Sequence, residues 1–450
     1  MKTVIMAGGK GTRISELFPD IPKPLISITN ADAISKPVLQ WEIESLVSQG
    51  FTDIILTVSH MADQIMDYFG DGSAFGCSIS YYIEETPLGN AGALFKLRDQ
   101  LQEPFLLLNA DAVFEIDFNR FYSIHIKKRD ERGALVTLFT HPNSHPYDSG
   151  IVVADNSGAV LRWLTKEDPR PEFYKNRVNA GLHVIDPSVL DMTIERTGLD
   201  VDAIGTEGSN GKIIKVDLDR QILKPLCGTH TMFCYDSPEY VKDMGTPERF
   251  ASVSRDFKNG TVAAKNLSHK QRAFFLDRDG TINKYVGFLR DINDFELIDG
   301  VAEAIRLINE SGYLAIVATN QPVIARGEVT ISQLQDIHDK METMLGKAGA
   351  YIDALYYCPH HPHKGYEGEV EELKIDCDCR KPKPGMLITA ARDFNLSLDQ
   401  SWMIGDGEND VKAGRAAGCR TALIGSGNYG QDVTGESLLE IVKKILACPV

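Results

Sequence analysis

Short apolar runs with strand character alternate with segments of helical spacing along this chain, and the alternation starts twice. It starts at Thr3-Val4-Ile5-Met6 and again at Ala273-Phe274-Phe275-Leu276. After the first start come Ile54-Ile55-Leu56-Thr57-Val58 and Phe105-Leu106-Leu107-Leu108, with Val38 to Gln49 spaced as a helix. After the second come a helical stretch from Gly300 to Ser311 and the run Tyr313-Leu314-Ala315-Ile316-Val317. Alternation of this kind builds α/β layers, in which helices cover a largely parallel sheet. Two starts predict two doubly wound domains, and 450 residues exceed the usual size of one core. The stretch 254–272 is polar, rich in Lys, Asn and Ser, and has little periodicity. It is therefore expected to be a linker between domains at 1–253 and 273–450.

The formal charge of −16 argues against a nucleic-acid partner, which would call for a basic face. No apolar run is long enough to span a bilayer, and Met1-Lys2-Thr3-Val4-Ile5-Met6 lacks the anatomy of a signal peptide. The expectation is a cytoplasmic protein without membrane contact. Of eight cysteines, Cys358, Cys377 and Cys379 cluster among histidines, which suits a metal site in a reduced compartment better than a disulfide framework.

Directly after the first strand stands Ala7-Gly8-Gly9-Lys10-Gly11-Thr12-Arg13. Its glycines let backbone N–H groups approach a phosphate chain, while Lys10 and Arg13 supply charge. It is not a P-loop, since no Ser or Thr follows the lysine, and Ile14 replaces the last glycine of a dinucleotide fingerprint. Downstream come Pro22-Lys23-Pro24-Leu25 and Leu108-Asn109-Ala110-Asp111, an acid at the end of an apolar strand. In this order the motifs resemble the sugar-1-phosphate nucleotidyltransferase family, over roughly Met1 to Phe250. The resemblance implies a Rossmann-like domain in which Gly8, Gly9, Gly11, Thr12 and Lys23 bind the nucleotide and Gly89 lies in the nucleobase turn Glu85 to Gly92. It also implies that Lys166 and Asn179 bind the sugar phosphate and that Asp111 and Asp243 hold Mg²⁺. In such a reaction a sugar phosphate attacks the α-phosphorus of a nucleoside triphosphate and expels pyrophosphate. Lys10 and Arg13 would stabilise the leaving charge as catalytic residues. Ala110 departs from the family's usual glycine, and Thr165-Lys166-Glu167 lacks the usual flanking Glu and Pro.

The second unit opens with Asp277-Arg278-Asp279-Gly280-Thr281, two carboxylates spaced so that both can face one site as the chain leaves a strand. The early glycine argues against a calcium loop of EF-hand type. Thr319-Asn320 ends a later strand, Lys381 lies in Arg380-Lys381-Pro382-Lys383-Pro384-Gly385, and Gly405-Asp406-Gly407-Glu408-Asn409-Asp410 follows Trp402-Met403-Ile404. The set resembles the haloacid dehalogenase superfamily of phosphatases, from about Ala273 to Gly425. The resemblance implies that Asp277 is the nucleophile, Asp279 the proton donor, and Thr319 and Lys381 the groups that hold the transferring phosphoryl. It implies Mg²⁺ on Asp277, Asp279 and Asp406, with Asp410 in support.

Between these motifs lie Cys358-Pro359-His360-His361-Pro362-His363 and Cys377-Asp378-Cys379. Thiolates and imidazoles this close can complete a tetrahedral zinc site with no open position. Resemblance to zinc-bearing members of the superfamily selects Cys358, His360, Cys377 and Cys379 and implies a structural Zn²⁺ beside Arg380 and Lys381. The zinc loop, Cys379-Arg380-Lys381-Pro382, Thr319-Asn320-Gln321 and Ala325-Arg326-Gly327 narrow the resemblance to D-glycero-D-manno-heptose 1,7-bisphosphate phosphatases, with histidinol phosphatases similar. It places Asn320 and Arg380 on the sugar.

Fusion of the two units suggests consecutive steps, with the phosphatase product as the sugar 1-phosphate of the transferase. The resemblance implies GDP-D-glycero-D-manno-heptose synthesis from GTP, the alternative being another sugar bisphosphate with uridylyl or cytidylyl transfer. The expected partners are GTP or another nucleoside triphosphate and heptose phosphates; a homo-oligomer is compatible with this reading.

Overall fold

The computed structural model describes residues 1–447 except 10–12, 15, 111, 166, 209 and 210. The chain forms two compact units: Met1–His141, Val152–Trp163 and Asn179–Asn266 make the first, and Pro142–Ile151, Leu164–Val178 and Leu267–Val450 make the second.

In the first unit, strands Phe105–Asn109, Lys2–Met6, Asp53–Val58 and Ser78–Ile83 lie side by side and parallel, with Lys2–Met6 near the centre. Strand Val178–Ile185 runs antiparallel against Phe105–Asn109. Alternate residues face opposite sides: Val4, Ile55 and Leu107 enter one apolar core, while Ile5, Leu56 and Leu108 enter another. That two-sided burial explains why the strands read as continuous apolar runs rather than as polar-apolar alternation.

The second unit carries a wholly parallel six-stranded sheet in the order Ala354–Cys358, Leu314–Asn320, Ala273–Leu276, Trp402–Gly405, Arg420–Ile424, Val433–Gly435. Phe274 and Leu276 pack against helices Val301–Glu310, Ile331–Lys347 and Leu438–Ala447, whereas Ala273 and Phe275 meet helix Gly385–Asp393 on the other face. From Ala273–Leu276 the chain winds first to one side and then to the other. A switch in winding direction therefore falls at the carboxyl ends of the central strands, where α/β sheets place their sites.

Two expectations about organisation need correcting. The polar stretch expected as a linker from residue 254 begins inside a helix: helix Pro247–Lys258 starts at Thr246, whose side chain accepts from Arg249 N at 3.3 Å. Val253 and Phe257 sit one turn apart and join Ile14, Ile26 and Val38 in an apolar cluster, with Val262 of helix Thr261–Ala264. The boundary between units falls later, after Asn266. The second unit also takes in residues 142–151 and 164–178, which the sequence reading gave to the first domain. Their attachment is polar and buried. Tyr174 N donates to Thr343 Oγ1 at 2.8 Å, Asn176 N to Glu342 Oε2 at 2.9 Å and Arg177 Nη2 to the Asp353 carbonyl at 3.0 Å. Arg177 Nη1 stands 3.3 Å from Glu342 Oε2, both side chains almost fully buried.

Candidate active sites

In the second unit, Asp277 follows the central strand directly and Asp406 follows its parallel neighbour, so both residues stand at the carboxyl ends of paired strands. Asp277, Asp406 and Asp410 each offer an oxygen, all within 4.8 Å of one another. Lys381 Nζ lies 2.8 Å from Asp277 Oδ1 and 2.6 Å from Asp410 Oδ1, with its side chain 2% exposed. Burial pushes Asp277 up to about 6, the Lys381 ammonium pulling the other way; burial likewise raises Asp406. Lys381 is raised although burial alone would lower it, because Asp277 and Asp410 outweigh that penalty. Three acids face this ammonium, a hard-oxygen donor set that fits Mg²⁺. The cluster leaves little room. A Cβ on Gly280, whose φ is +80°, would stand 2.0 Å from Asp406 Oδ2, so only glycine is accommodated.

The side chain of Asp279, expected on the metal, is engaged elsewhere. Its oxygens accept from Arg278, from Gln321 Nε2 at 2.9 Å and from Asn283 Nδ2 at 3.0 Å. Thr319 is buried and accepts from Gln321 Nε2 at 2.9 Å. Asn320, assigned to the sugar, uses its amide to hold the Lys381 backbone: Nδ2 donates to Lys381 O and Oδ1 accepts from Lys381 N, both at 3.0 Å. The Lys381-Pro382 peptide that follows is cis. Arg380 Nη1 donates to the His360 carbonyl at 3.1 Å, tying the histidine loop to the segment that presents Lys381.

Cys358, His360, Cys377 and Cys379 form a second cluster. Cys377 Sγ is 3.5 Å from Cys358 Sγ and 3.2 Å from Cys379 Sγ, and His360 Nδ1 is 3.3 Å from Cys379 Sγ. No disulfide joins them. Tetrahedral zinc with Zn–S of about 2.3 Å has sulfur–sulfur edges of about 3.8 Å, so three sulfurs and one imidazole at these spacings fit such an ion. The Cys358 thiol holds Cys379 below its ordinary value by hydrogen bonding. His361 lies apart, facing Arg326 and the His363 carbonyl.

In the first unit, Lys23 is buried and its Nζ stands 3.7 Å from Asp243 Oδ1; Asp243 Oδ2 pairs with Arg249. A Cβ built on Gly245 would fall 2.9 Å from Asp243 Oδ1 and 3.6 Å from Arg13 Nη2, so Arg13 reaches the same place. Gly8, ending the first strand's turn, sits beside Ser59 and Glu84, and Gly9 has open space before it. Gly89 adopts φ +86°, and a Cβ there would come within 2.2 Å of Val216 O. Asn179 Oδ1 accepts from Gly181 N at 3.3 Å, across from Asn109 at the end of strand Phe105–Asn109. Lys10, Gly11, Thr12, Asp111 and Lys166 lie outside the described residues.

Sequence reasoning did not single out Arg249 on Asp243, Asn283 on Asp279 or His338 on Arg278. Arg249 was legible in principle, three residues beyond the helix-capping Thr246. His338 was not, because nothing local marks a helix histidine that meets a residue 60 positions earlier.

A family described as nucleotidyl transferase matches residues 2–258, and one described as HAD-hydrolase-like matches residues 378–442. The chain is thus an enzyme of two catalytic classes, transferase and phosphatase. Among curated proteins, the D-glycero-beta-D-manno-heptose-1,7-bisphosphate 7-phosphatase of Salmonella typhi is 42% identical over 165 residues, 37% of this chain and 85% of the relative. The protein of that name from Escherichia coli K12 is 43% identical over 152 residues, 34% of this chain and 78% of the relative. Among solved structures, the D,D-heptose 1.7-bisphosphate phosphatase from B. bronchiseptica, complexed with magnesium and phosphate, is 30% identical, with a TM-score of 0.35 over 39% of this chain and 99% of that one. The chain belongs to the nucleotidyl transferase family and, through its C-terminal part, to the HAD-type heptose-1,7-bisphosphate 7-phosphatases: it is a fusion of the two.

Proposed function

We propose that the second unit removes the C7 phosphate of D-glycero-D-manno-heptose 1,7-bisphosphate and that the first transfers GMP from GTP to the resulting heptose 1-phosphate. The products are GDP-D-glycero-D-manno-heptose and pyrophosphate. The observation that carries the phosphatase half of this reading is Lys381 bridging Asp277 and Asp410 beside Asp406. Two anions, nucleophile and phosphate, must meet, and only concentrated positive charge offsets their repulsion.

On this reading Asp277 attacks phosphorus, the bond from phosphorus to the C7 oxygen breaks, and Asp279 gives its proton to that oxygen. Water then attacks the aspartyl phosphate, Asp279 takes the water's proton, and inorganic phosphate leaves. Lys381 holds the phosphoryl oxygens together with Thr319. Mg²⁺ would be held by Asp277 and Asp406, and when bound it supplies the charge neutralisation that phosphoryl transfer requires. In the first unit Asp243, with Asp111, would hold the ion used in nucleotidyl transfer, and Arg13 and Lys23 would face the triphosphate. Zn²⁺ on Cys358, His360, Cys377 and Cys379 would be structural. The relatives named above support a heptose bisphosphate as substrate of the second unit; guanine rests on the pairing of the two families in one chain.

The test feeds purified protein the heptose bisphosphate with GTP, ATP, CTP or UTP and follows phosphate and pyrophosphate separately. Phosphate is expected without nucleotide, and pyrophosphate chiefly with GTP. Preferred pyrophosphate release from another nucleotide would overturn the guanylyl assignment and leave the phosphatase standing.

A further inference from the structure

Arg278 is the largest fully buried side chain among the described residues, although it sits between two acids at the mouth of a catalytic cluster. A guanidinium withdrawn from water is costly unless its donors are matched, and here they are. Nη2 lies 2.9 Å from both oxygens of Asp279 and 2.9 Å from Gln321 Oε1, while Nε lies 3.3 Å from Asp279 Oδ1. Nη1 meets His338 Nε2 at 3.2 Å. Burial, and after it the Arg278 charge, hold His338 well below its ordinary value, so the ring is neutral and Nε2 accepts. Gln321 closes the circuit. Its Nε2 reaches Asp279 Oδ2 and Thr319 Oγ1, each at 2.9 Å.

We propose that Arg278 is a positioning residue for the phosphatase reaction, a planar fork that fixes the rotation of the Asp279 carboxylate and is itself aimed by Gln321 and His338. This rests on the reading of Asp279 as the proton donor. The fork geometry matters more than the charge: both Asp279 oxygens lie in reach of one guanidinium edge, an arrangement that a lysine ammonium cannot reproduce. The two carboxylates of the motif thereby receive different settings. Asp277 faces Lys381 and the metal-binding acids, whereas Asp279 is turned onto Arg278, Gln321 and Asn283. The reaction needs that division. As the bond between phosphorus and the ester oxygen breaks and the bond from Asp277 to phosphorus forms, a proton carried by Asp279 must arrive at the departing oxygen; the contact of Asn283 or Gln321 gives way to that O–H while the Arg278 edge keeps the plane of the group. A carboxyl group free to rotate would miss it.

The positioning role predicts a dependence on the leaving group. An alkyl phosphate departs as a poor leaving group and needs the proton, while para-nitrophenyl phosphate departs readily without it. In the full chain, Arg278→Lys is expected to lower kcat on heptose bisphosphate by about thirtyfold or more, within the range of general acid catalysis, and on para-nitrophenyl phosphate by less than about threefold. Equal losses on both substrates, or no loss on either, would overturn the proposal. Asp279→Asn is measured alongside: if it shows no leaving-group discrimination, the proton-donor reading itself fails. If it discriminates and Arg278→Lys does not, only the positioning role fails. Should Arg278→Lys not fold, His338→Leu, which removes an acceptor from the guanidinium, is held to the same criterion.

Discussion

Lys381 joins two carboxylates that the sequence separates widely, standing 2.8 Å from Asp277 and 2.6 Å from Asp410 in a nearly dry setting. Its backbone is clamped by Asn320, so the ammonium has little freedom to leave.

Replacing it tests the phosphatase alone. Lys381→Met should reduce phosphate release from heptose bisphosphate by about a hundredfold to a thousandfold, the scale of one lost electrostatic stabiliser. Pyrophosphate release from GTP and heptose 1-phosphate should stay at the wild-type level, because no group of the first unit is touched. Both products are measured in the same preparation.

The sulfur cluster should bind metal. Elemental analysis of protein purified without chelator is expected to find about one zinc per chain, and Cys379→Ser to lose it. Loss of the ion should lower the thermal midpoint and weaken phosphate release more than pyrophosphate release, since Arg380 ties the His360 loop to Lys381.

The buried pair Arg177 and Glu342 should matter most when it is half removed. Glu342→Gln takes one carboxylate from a buried guanidinium and should cost about 3–5 kcal/mol in denaturant unfolding. The double variant Arg177→Met with Glu342→Leu should cost distinctly less, because both members of the pair leave together.

His183 supplies a pH dependence. Burial lowers it to about 3, with no hydrogen-bond partner at either ring nitrogen. The unfolded chain takes up a proton near pH 6.5 while the folded chain does not, so stability falls as pH drops from about 6.5 towards 3. At pH 5 the penalty is about 2 kcal/mol. His183→Leu should therefore gain stability relative to the wild type as the solution is acidified, and melting curves at pH 7.5 and pH 5 would show it.

What the sequence made visible depended on proximity along the chain. Both sheets were legible because their central strands are buried on two faces and read as unbroken apolar runs, such as Phe274 to Leu276. Asp277 and Asp406 stood out because each directly follows such a run, and the cysteine cluster because its ligands come in close pairs. What remained hidden was assembled across distance. Arg278 looks like a solvated charge until helix Ile331–Lys347 brings His338 against it. Phe257 was masked by polar neighbours in a stretch that looked like linker, and only packing shows that it lies one turn beyond Val253 on a buried stripe. The side chain of Asp279 was expected on the metal because spacing alone cannot tell which way a carboxylate rotates.

The placement of residues 164–178 also sets a timetable for synthesis. Arg177 leaves the ribosome 165 residues before Glu342 does, and at about 5–20 residues per second the wait is on the order of ten seconds. For that interval the early segment is a tenon without its mortise. The second unit can close only after Glu342 and the strands that follow it have been made, whereas the strands around Lys2–Met6 already have their neighbours.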